Sequence, residues 1–199
     1  MSLPRRSPNP RWNSNAAESA KRGIATHYVL QFCDLELLAS TGARAELERL
    51  CSSGFISRRD AERVRIDEIE KFRQSQLFSD MRGARAVHRE LRFNLNMPVE
   101  LFSEQEERIS ALKGESVLVQ GVIDCIIEYE DGTLGVFDYK TDRLTREERE
   151  CRPLAEKRLR DSHRTQLMYY ARAVESIFGK APSRVEVYSL HLADTVSMK

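Results

Sequence analysis

Val119-Gln120-Gly121-Val122-Ile123-Asp124-Cys125-Ile126-Ile127-Glu128-Tyr129-Glu130-Asp131-Gly132-Thr133-Leu134-Gly135-Val136-Phe137-Asp138-Tyr139-Lys140 decides how this chain is read. Two runs rich in Val, Ile and Phe flank Glu130-Asp131-Gly132. That triplet suits a three-residue hairpin loop: a type I turn whose Gly takes the left-handed position and makes a bulge. Tyr129 then pairs with Thr133. Counting back along both strands sets Asp124 opposite Asp138 and Val122 opposite Lys140. The two-residue period puts both carboxylates and Lys140 on one face. A loop one residue shorter or longer would divide the carboxylates between faces.

Charges in so apolar a hairpin are expensive unless paired, and two facing carboxylates repel unless a cation joins them. Either Asp alone reads as a solvated strand end. Together with Lys140 they read better as a hard-cation site, in which carboxylate oxygens hold Mg²⁺ or Mn²⁺ and leave waters for a substrate to displace. Lys140 beside such an ion would stabilise negative charge on a substrate; its plainer role is a salt bridge to either aspartate.

Working outward, helical spacing of Ile24, Tyr28, Gln31, Phe32, Leu35 and Leu38 predicts a helix from Ala16 to about Leu38, with His27 on or beside that stripe. A second helix is expected over Ala43 to Cys51. A third starts at the capping-box-like Ser57-Arg58-Arg59-Asp60 and runs through Val64, Ile66, Ile69 and Phe72. After Gly83, Ala86 to Leu95 and Ser116 to Lys140 read as strands. Leu154 to Phe178 returns to helical period, Gly179 suits its C-terminal cap, and Arg184 to Leu192 makes a last strand. Apolar residues on both faces of Val117 to Ile127 imply helices packed on both sides of the sheet, an α/β sandwich. His163, Gln166 and Tyr170 share one face of the long helix.

The ordered set His27, Gly121-Val122-Ile123-Asp124, Asp138-Tyr139-Lys140-Thr141-Asp142 and Gln166-Leu167-Met168-Tyr169-Tyr170 resembles the RecB-like branch of the PD-(D/E)xK nucleases. The form is that found at the C-terminal end of AddA-type helicase–nucleases, and the likeness covers most of the chain. It implies a restriction-endonuclease-like α/β core, a mixed sheet flanked by helices with a helical N-terminal annex. It implies a Mg²⁺-dependent deoxyribonuclease, with Mn²⁺ an alternative, acting exonucleolytically on single-stranded DNA in double-strand break repair. Its partners would be the helicase portion of the same chain and an AddB-like subunit. By the same resemblance His27 and the backbone carbonyl of Tyr139 join Asp124 and Asp138 on the metal, and Gln166 and Tyr170 orient Lys140 or the phosphate. His163 stands where these nucleases often carry Tyr. Glu90, in Arg89-Glu90-Leu91, reads as a further carboxylate near the site or a structural partner of an Arg, with the structural role favoured. Relatives with an iron–sulfur cluster carry a tight cysteine group near the C-terminus; no Cys follows Cys151, so no cluster is expected. Two rivals stay open: a free-standing nuclease without a motor, and a catalytically dead DNA-binding or interaction module.

Composition constrains the rest. The 199 residues suit one domain, and 41% hydrophobic with 32% charged residues describes an ordinary soluble chain. A signal peptide and a membrane-spanning run are both absent from the pattern; the expected location is the cytoplasm, and bacterial by the resemblance. The four cysteines have no C-x-x-C spacing, which argues against a zinc ribbon or a disulfide framework. Residues 1–14 read as a flexible tail or added leader, 15–82 as helical and 83–199 as the α/β catalytic core. AddA-type proteins are motors, and since G-x-x-x-x-G-K-[ST] does not occur here, the resemblance implies an excised domain. Net charge is only +1. The basic residues between 143 and 164 are interspersed with acids, so they suit either a solvated helical face or a phosphate-tracking rim.

Overall fold

The structure is a computed structural model and describes residues 10–98 and 114–198. Six helices come first: α1 Pro10–Phe32, α2 Leu35–Thr41, α3 Ala43–Ser52, α4 Arg58–Ala61, α5 Ile66–Arg73 and α6 Gln76–Arg82. Strands β1 Ala86–Pro98, β2 Ser116–Glu128 and β3 Leu134–Lys140 follow, then α7 Arg146–Glu150, α8 Arg152–Phe178, β4 Arg184–Ser189 and β5 Asp194–Ser197. The strands form one sheet in the order β1-β2-β3-β4-β5. β1–β2 and β2–β3 are antiparallel, whereas Ser183 and Leu190 donate in turn to Leu134 and Lys140, a parallel progression. The fold is therefore a mixed five-stranded sheet with flanking helices. None of the described helices is long and apolar enough to cross a membrane.

The chain divides into two compact units. One holds the chain up to Arg82 with Tyr139–Arg143 and Ser189–Asp194; the other holds Gly83–Asp138, Leu144–Tyr188 and the chain from Thr195 on. In the helical unit Leu30, Leu38, Leu50, Ile69, Phe72 and Leu77 are fully buried. Tyr139 belongs to this core: its ring meets Phe72 edge-on at 5.9 Å and its hydroxyl donates to the Met81 sulfur at 3.8 Å. In the sheet unit α8 lays Leu167, Tyr170, Ala173 and Val174 on Ile123, Ile126, Leu134, Val136, Val185 and Val187.

The hairpin has the expected register. Tyr129 N–H donates to Thr133 at 3.0 Å, Gly132 N–H donates back to Tyr129 at 2.9 Å, and Gly132 takes the left-handed φ of 78°. The pairs Glu128–Leu134 to Cys125–Phe137 follow, and their continuation sets Asp124 opposite Asp138. Several other boundaries differ from expectation. α1 begins at Pro10, inside the stretch read as a tail, since Pro lacks only an N–H that the first turn cannot use; residues 1–9 lie outside the described residues. The helix expected to reach Leu38 breaks at Asp34, whose carboxylate caps α2 by accepting from Glu36 and Leu37 N–H. The buried face of α1 is Ala25, Thr26, Val29 and Leu30, with Cys33 just past its end also buried, while Ile24 and Tyr28 are exposed. Ser57 caps as expected, but α4 stops at Ala61 and α5 starts afresh at Ile66. The last expected strand ends at Ser189, where a turn through Ala193 (φ 56°) adds β5.

Candidate functional site

In the sheet unit, Asp124 and Asp138 are both buried, at 8% and 1% exposure. Their neighbours come from α8. Gln166 donates from Nε2 to Asp138 Oδ1 at 3.4 Å and to the Tyr170 hydroxyl at 2.7 Å. Having accepted from Gln166, the Tyr170 oxygen keeps its own proton to donate. Burial first, then the charges of Asp138, Asp124 and Glu90, hold that phenol well above its ordinary pKa, with Gln166 opposing. Four predicted site residues thus meet here: Asp124, Asp138, Gln166 and Tyr170.

Glu90 joins them. Its carboxylate and that of Asp124 lie within 4.8 Å of each other, and burial pushes its pKa up against the pull of Arg92. The backbone at Glu90 is left-handed, φ 54°, and the β1–β2 ladder omits the Glu90–Asp124 pair while keeping one register on both sides of it. The apolar residues facing α8 change parity there. On the hairpin side they are Ile126, Leu134 and Val136; beyond the irregularity they are Leu91, Phe93, Leu95, Val119 and Ile123. A non-Gly residue at positive φ costs roughly 1–3 kcal/mol, and such strain gathers at functional sites. Of the two readings the sequence leaves for Glu90, the structure sets it as a carboxylate beside Asp124, with Arg92 also acting on it. The β1–β2 register would reveal it, but no short turn connects those strands to fix that register.

Gly121 and Phe93 face each other across this ladder. A Cβ on Gly121 would stand 2.7 Å from two ring carbons of Phe93, and the ring presents its edge to Tyr170 at 5.8 Å and 83°. The Gly of Gly-Val-Ile-Asp is thus the floor on which the Tyr170 side of the site rests.

The remaining predicted residues lie in the helical unit. His27 Nε2 lies 2.9 Å from the Tyr139 carbonyl oxygen, within hydrogen-bond reach when that nitrogen is protonated. With its side chain committed to the Phe72 core, Tyr139 holds its carbonyl toward α1. Ser19, Ala20 and Gly23 keep that face of α1 shallow: the Thr141 hydroxyl lies 3.1 Å from where a Gly23 Cβ would be. A cavity of about 310 Å³ opens between Ser19, Ala20, His27 and the segment Tyr139–Arg143, with half-buried Lys140 in its wall. A larger cavity of about 620 Å³, lined by α3, α4 and α5, contains none of the predicted residues.

The donors suit a hard cation. Buried carboxylates in the sheet unit offer anionic oxygen. Two cis ligands of an octahedral ion at about 2.1 Å stand about 3 Å apart, which is the spacing of His27 Nε2 and the Tyr139 oxygen. Five cations of the 143–164 segment are meanwhile in ion pairs: Arg146–Glu150, Arg152–Glu156, Lys157–Asp161, Arg158–Glu148 and Arg160–Glu156. The solvated-face reading holds for them.

The family model described as "PD-(D/E)XK nuclease superfamily" matches residues 4–196. The chain belongs to the PD-(D/E)XK nuclease superfamily. Similar proteins include the AddA-type subunit of the ATP-dependent helicase/nuclease of Heliobacterium modesticaldum, 37% identical over 161 residues, covering 80% of this chain and 11% of the relative. The same subunit of Moorella thermoacetica is 36% identical over 175 residues (86% and 12%). That of Acetivibrio thermocellus is 31% identical over 170 (85% and 12%). The chain spans about an eighth of the length of these relatives. It is a PD-(D/E)XK nuclease domain related to a region of theirs.

Proposed function

We propose that this domain hydrolyses phosphodiester bonds of DNA in a reaction that depends on Mg²⁺ or Mn²⁺, exonucleolytically on a single strand. We further propose that it serves an AddAB-type helicase–nuclease, with an AddB-like partner, in double-strand break repair in the bacterial cytoplasm. The observation that carries the reading is the pair of buried carboxylates, Asp124 and Asp138, set opposite each other with Lys140 two residues further along β3. The proposed metal ligands are Asp124, Asp138, His27 and the Tyr139 carbonyl, and Glu90 is added as a carboxylate beside Asp124. When bound, the cation would polarise the phosphoryl group and acidify a water.

The protein's own groups supply the rest. Lys140 stabilises the charge that builds on the phosphoryl oxygens and holds the attacking water. Gln166 steadies Asp138 and donates to the Tyr170 oxygen, so that the Tyr170 hydroxyl keeps its own proton to donate. Water adds to phosphorus as the P–O3′ bond breaks, leaving a 5′-phosphate and a 3′-hydroxyl. Cleavage of end-labelled single-stranded DNA with Mg²⁺, Mn²⁺ or EDTA tests the reading. Cutting that needs metal and disappears in Asp138→Ala and Lys140→Ala supports it. Absence of cutting, together with absence of Mn²⁺ binding by calorimetry, would favour a dead interaction module.

A further inference from the structure

The two ligands proposed for the helical unit, the His27 imidazole and the Tyr139 carbonyl, are both set by the side chain of Tyr139. Its ring meets the His27 ring edge-on, with centroids 6.1 Å apart at 86°, while the carbonyl of the same residue stands 2.9 Å from His27 Nε2. Phe72 of α5 meets the Tyr139 ring edge-on at 5.9 Å and 88°, and the Met81 sulfur of α6 accepts from its hydroxyl at 3.8 Å. Phe72 is braced in turn by the Phe78 ring at 5.5 Å. Tyr139, Phe72, Phe78 and Met81 are all buried, so none of these side chains can turn without opening a void in a close-packed interior. The following residue is held as well, because Leu190 N–H donates to the Lys140 carbonyl at 2.9 Å. The peptide group between Tyr139 and Lys140 is planar. Anchored through the Tyr139 ring on one side and the Lys140 carbonyl on the other, it leaves the Tyr139 oxygen little freedom to swing.

We propose that Phe72 and Met81 are positioning residues for the metal, acting through Tyr139 to aim its carbonyl and the His27 imidazole. The assignment rests on the metal-dependent reading of the site and deepens it. A carbonyl has no net charge to draw a cation in, so its contribution depends on aim. Mg²⁺ in particular tolerates little departure from octahedral geometry at about 2.1 Å. A small displacement of the Tyr139 ring therefore costs affinity at the carbonyl of the same residue. By this route α5 and α6 take part in the chemistry without contributing a donor atom of their own.

Calorimetric titration with Mn²⁺ alone, together with nitrogen NMR of the His27 ring in EDTA, tests it. Phe72→Leu should weaken Mn²⁺ binding by about tenfold or more, the usual cost of removing a residue that orients a ligand, and should shift the His27 ring nitrogens. Met81→Leu keeps the side-chain volume and removes a weak sulfur acceptor, so it should produce both effects to a smaller extent. Combining it with Tyr139→Phe should cost no more than the larger single loss, because both remove the same bond. Leu50→Val, at a fully buried position on α3 of the same unit, should leave affinity and ring shifts at wild-type values. Wild-type affinity and shifts in both Phe72→Leu and Met81→Leu, or equal losses in Leu50→Val, would overturn the proposal. The metal-dependent reading fails separately. A wild type that binds no Mn²⁺, while its His27 shifts still respond to Phe72→Leu, would sink that reading and leave the anchoring of His27 and Tyr139 standing.

Discussion

The ring of Phe93 lies so close over Gly121 that a methyl group there would come within 2.7 Å of two of its carbons. From that contact a chain of single interactions runs to the candidate site: Phe93 edge-on to Tyr170, Tyr170 bonded to Gln166, and Gln166 to Asp138. Gly121→Ala is therefore expected to destabilise the fold by about 1–3 kcal/mol, as overpacking does, and to lower cleavage as Tyr170 shifts. Urea unfolding of Gly121→Ala, Phe93→Leu and the double variant checks it. The double variant should lose less than the sum of the singles, because the smaller side chain leaves room for the new methyl.

Removing the Tyr170 hydroxyl while keeping the ring isolates its polar role. Tyr170→Phe retains the edge contact with Phe93 but takes away the acceptor of Gln166 and the hydroxyl proton. A charge-assisted hydrogen bond is worth roughly 1.5–3 kcal/mol, so single-turnover cleavage should slow by about 10- to 100-fold with little change in thermal midpoint. A rate within twofold of wild type would show that the hydroxyl does not touch the reaction.

Asp124 and Asp138 face each other in a buried place, so the metal-free protein carries their repulsion. Asp124→Asn should stabilise the protein in EDTA by about 1 kcal/mol, the usual trade of function for stability, and abolish any rise in melting temperature on adding Mn²⁺. Differential scanning fluorimetry with and without Mn²⁺ reads both effects. A variant less stable than wild type in EDTA would mean that the two carboxylates are not in conflict.

Glu128 closes the hairpin end of β2 and receives His88 Nε2 at 2.6 Å. That bond first, then the charges of His88 and Arg85, hold the Glu128 carboxyl below its ordinary value of 4.5 despite desolvation. A depressed folded-state pKa means that the stabilisation is present above the ordinary value and is lost as pH falls through the depressed one. Wild type should therefore exceed Glu128→Gln in urea midpoint at pH 6, and the gap should close as the pH is taken below 4.5.

The hairpin is legible because everything that sets it is local: Glu130-Asp131-Gly132 dictates the turn, the turn dictates the register, and the register pairs Asp124 with Asp138. Gln166 and Tyr170 are legible because helical spacing alone places them together. Glu90 is legible only as one of two readings, since its position depends on a β1–β2 register that no short turn imposes and on a left-handed backbone that nothing in Arg89-Glu90-Leu91 announces. The face of α1 misleads for a related reason. Ile24 and Tyr28 are the larger apolar side chains, yet the smaller Ala25 and Val29 are buried with Leu30 and Cys33, and Ser19 and Gly23 are left to receive the loop after Lys140. Asp34 ends a helix that periodicity would continue, because its carboxylate offers the next turn a cap.

The most direct measurement is single-turnover cleavage of labelled single-stranded DNA in Mn²⁺ by wild type and by Asp138→Asn, each shown to be folded by circular dichroism. The account predicts 5′-phosphate products from wild type, none in EDTA, and a rate lower by about a thousandfold or more in the variant, a loss of roughly 4 kcal/mol of transition-state stabilisation. Equal rates for the two proteins, or cutting that persists in EDTA, would contradict it.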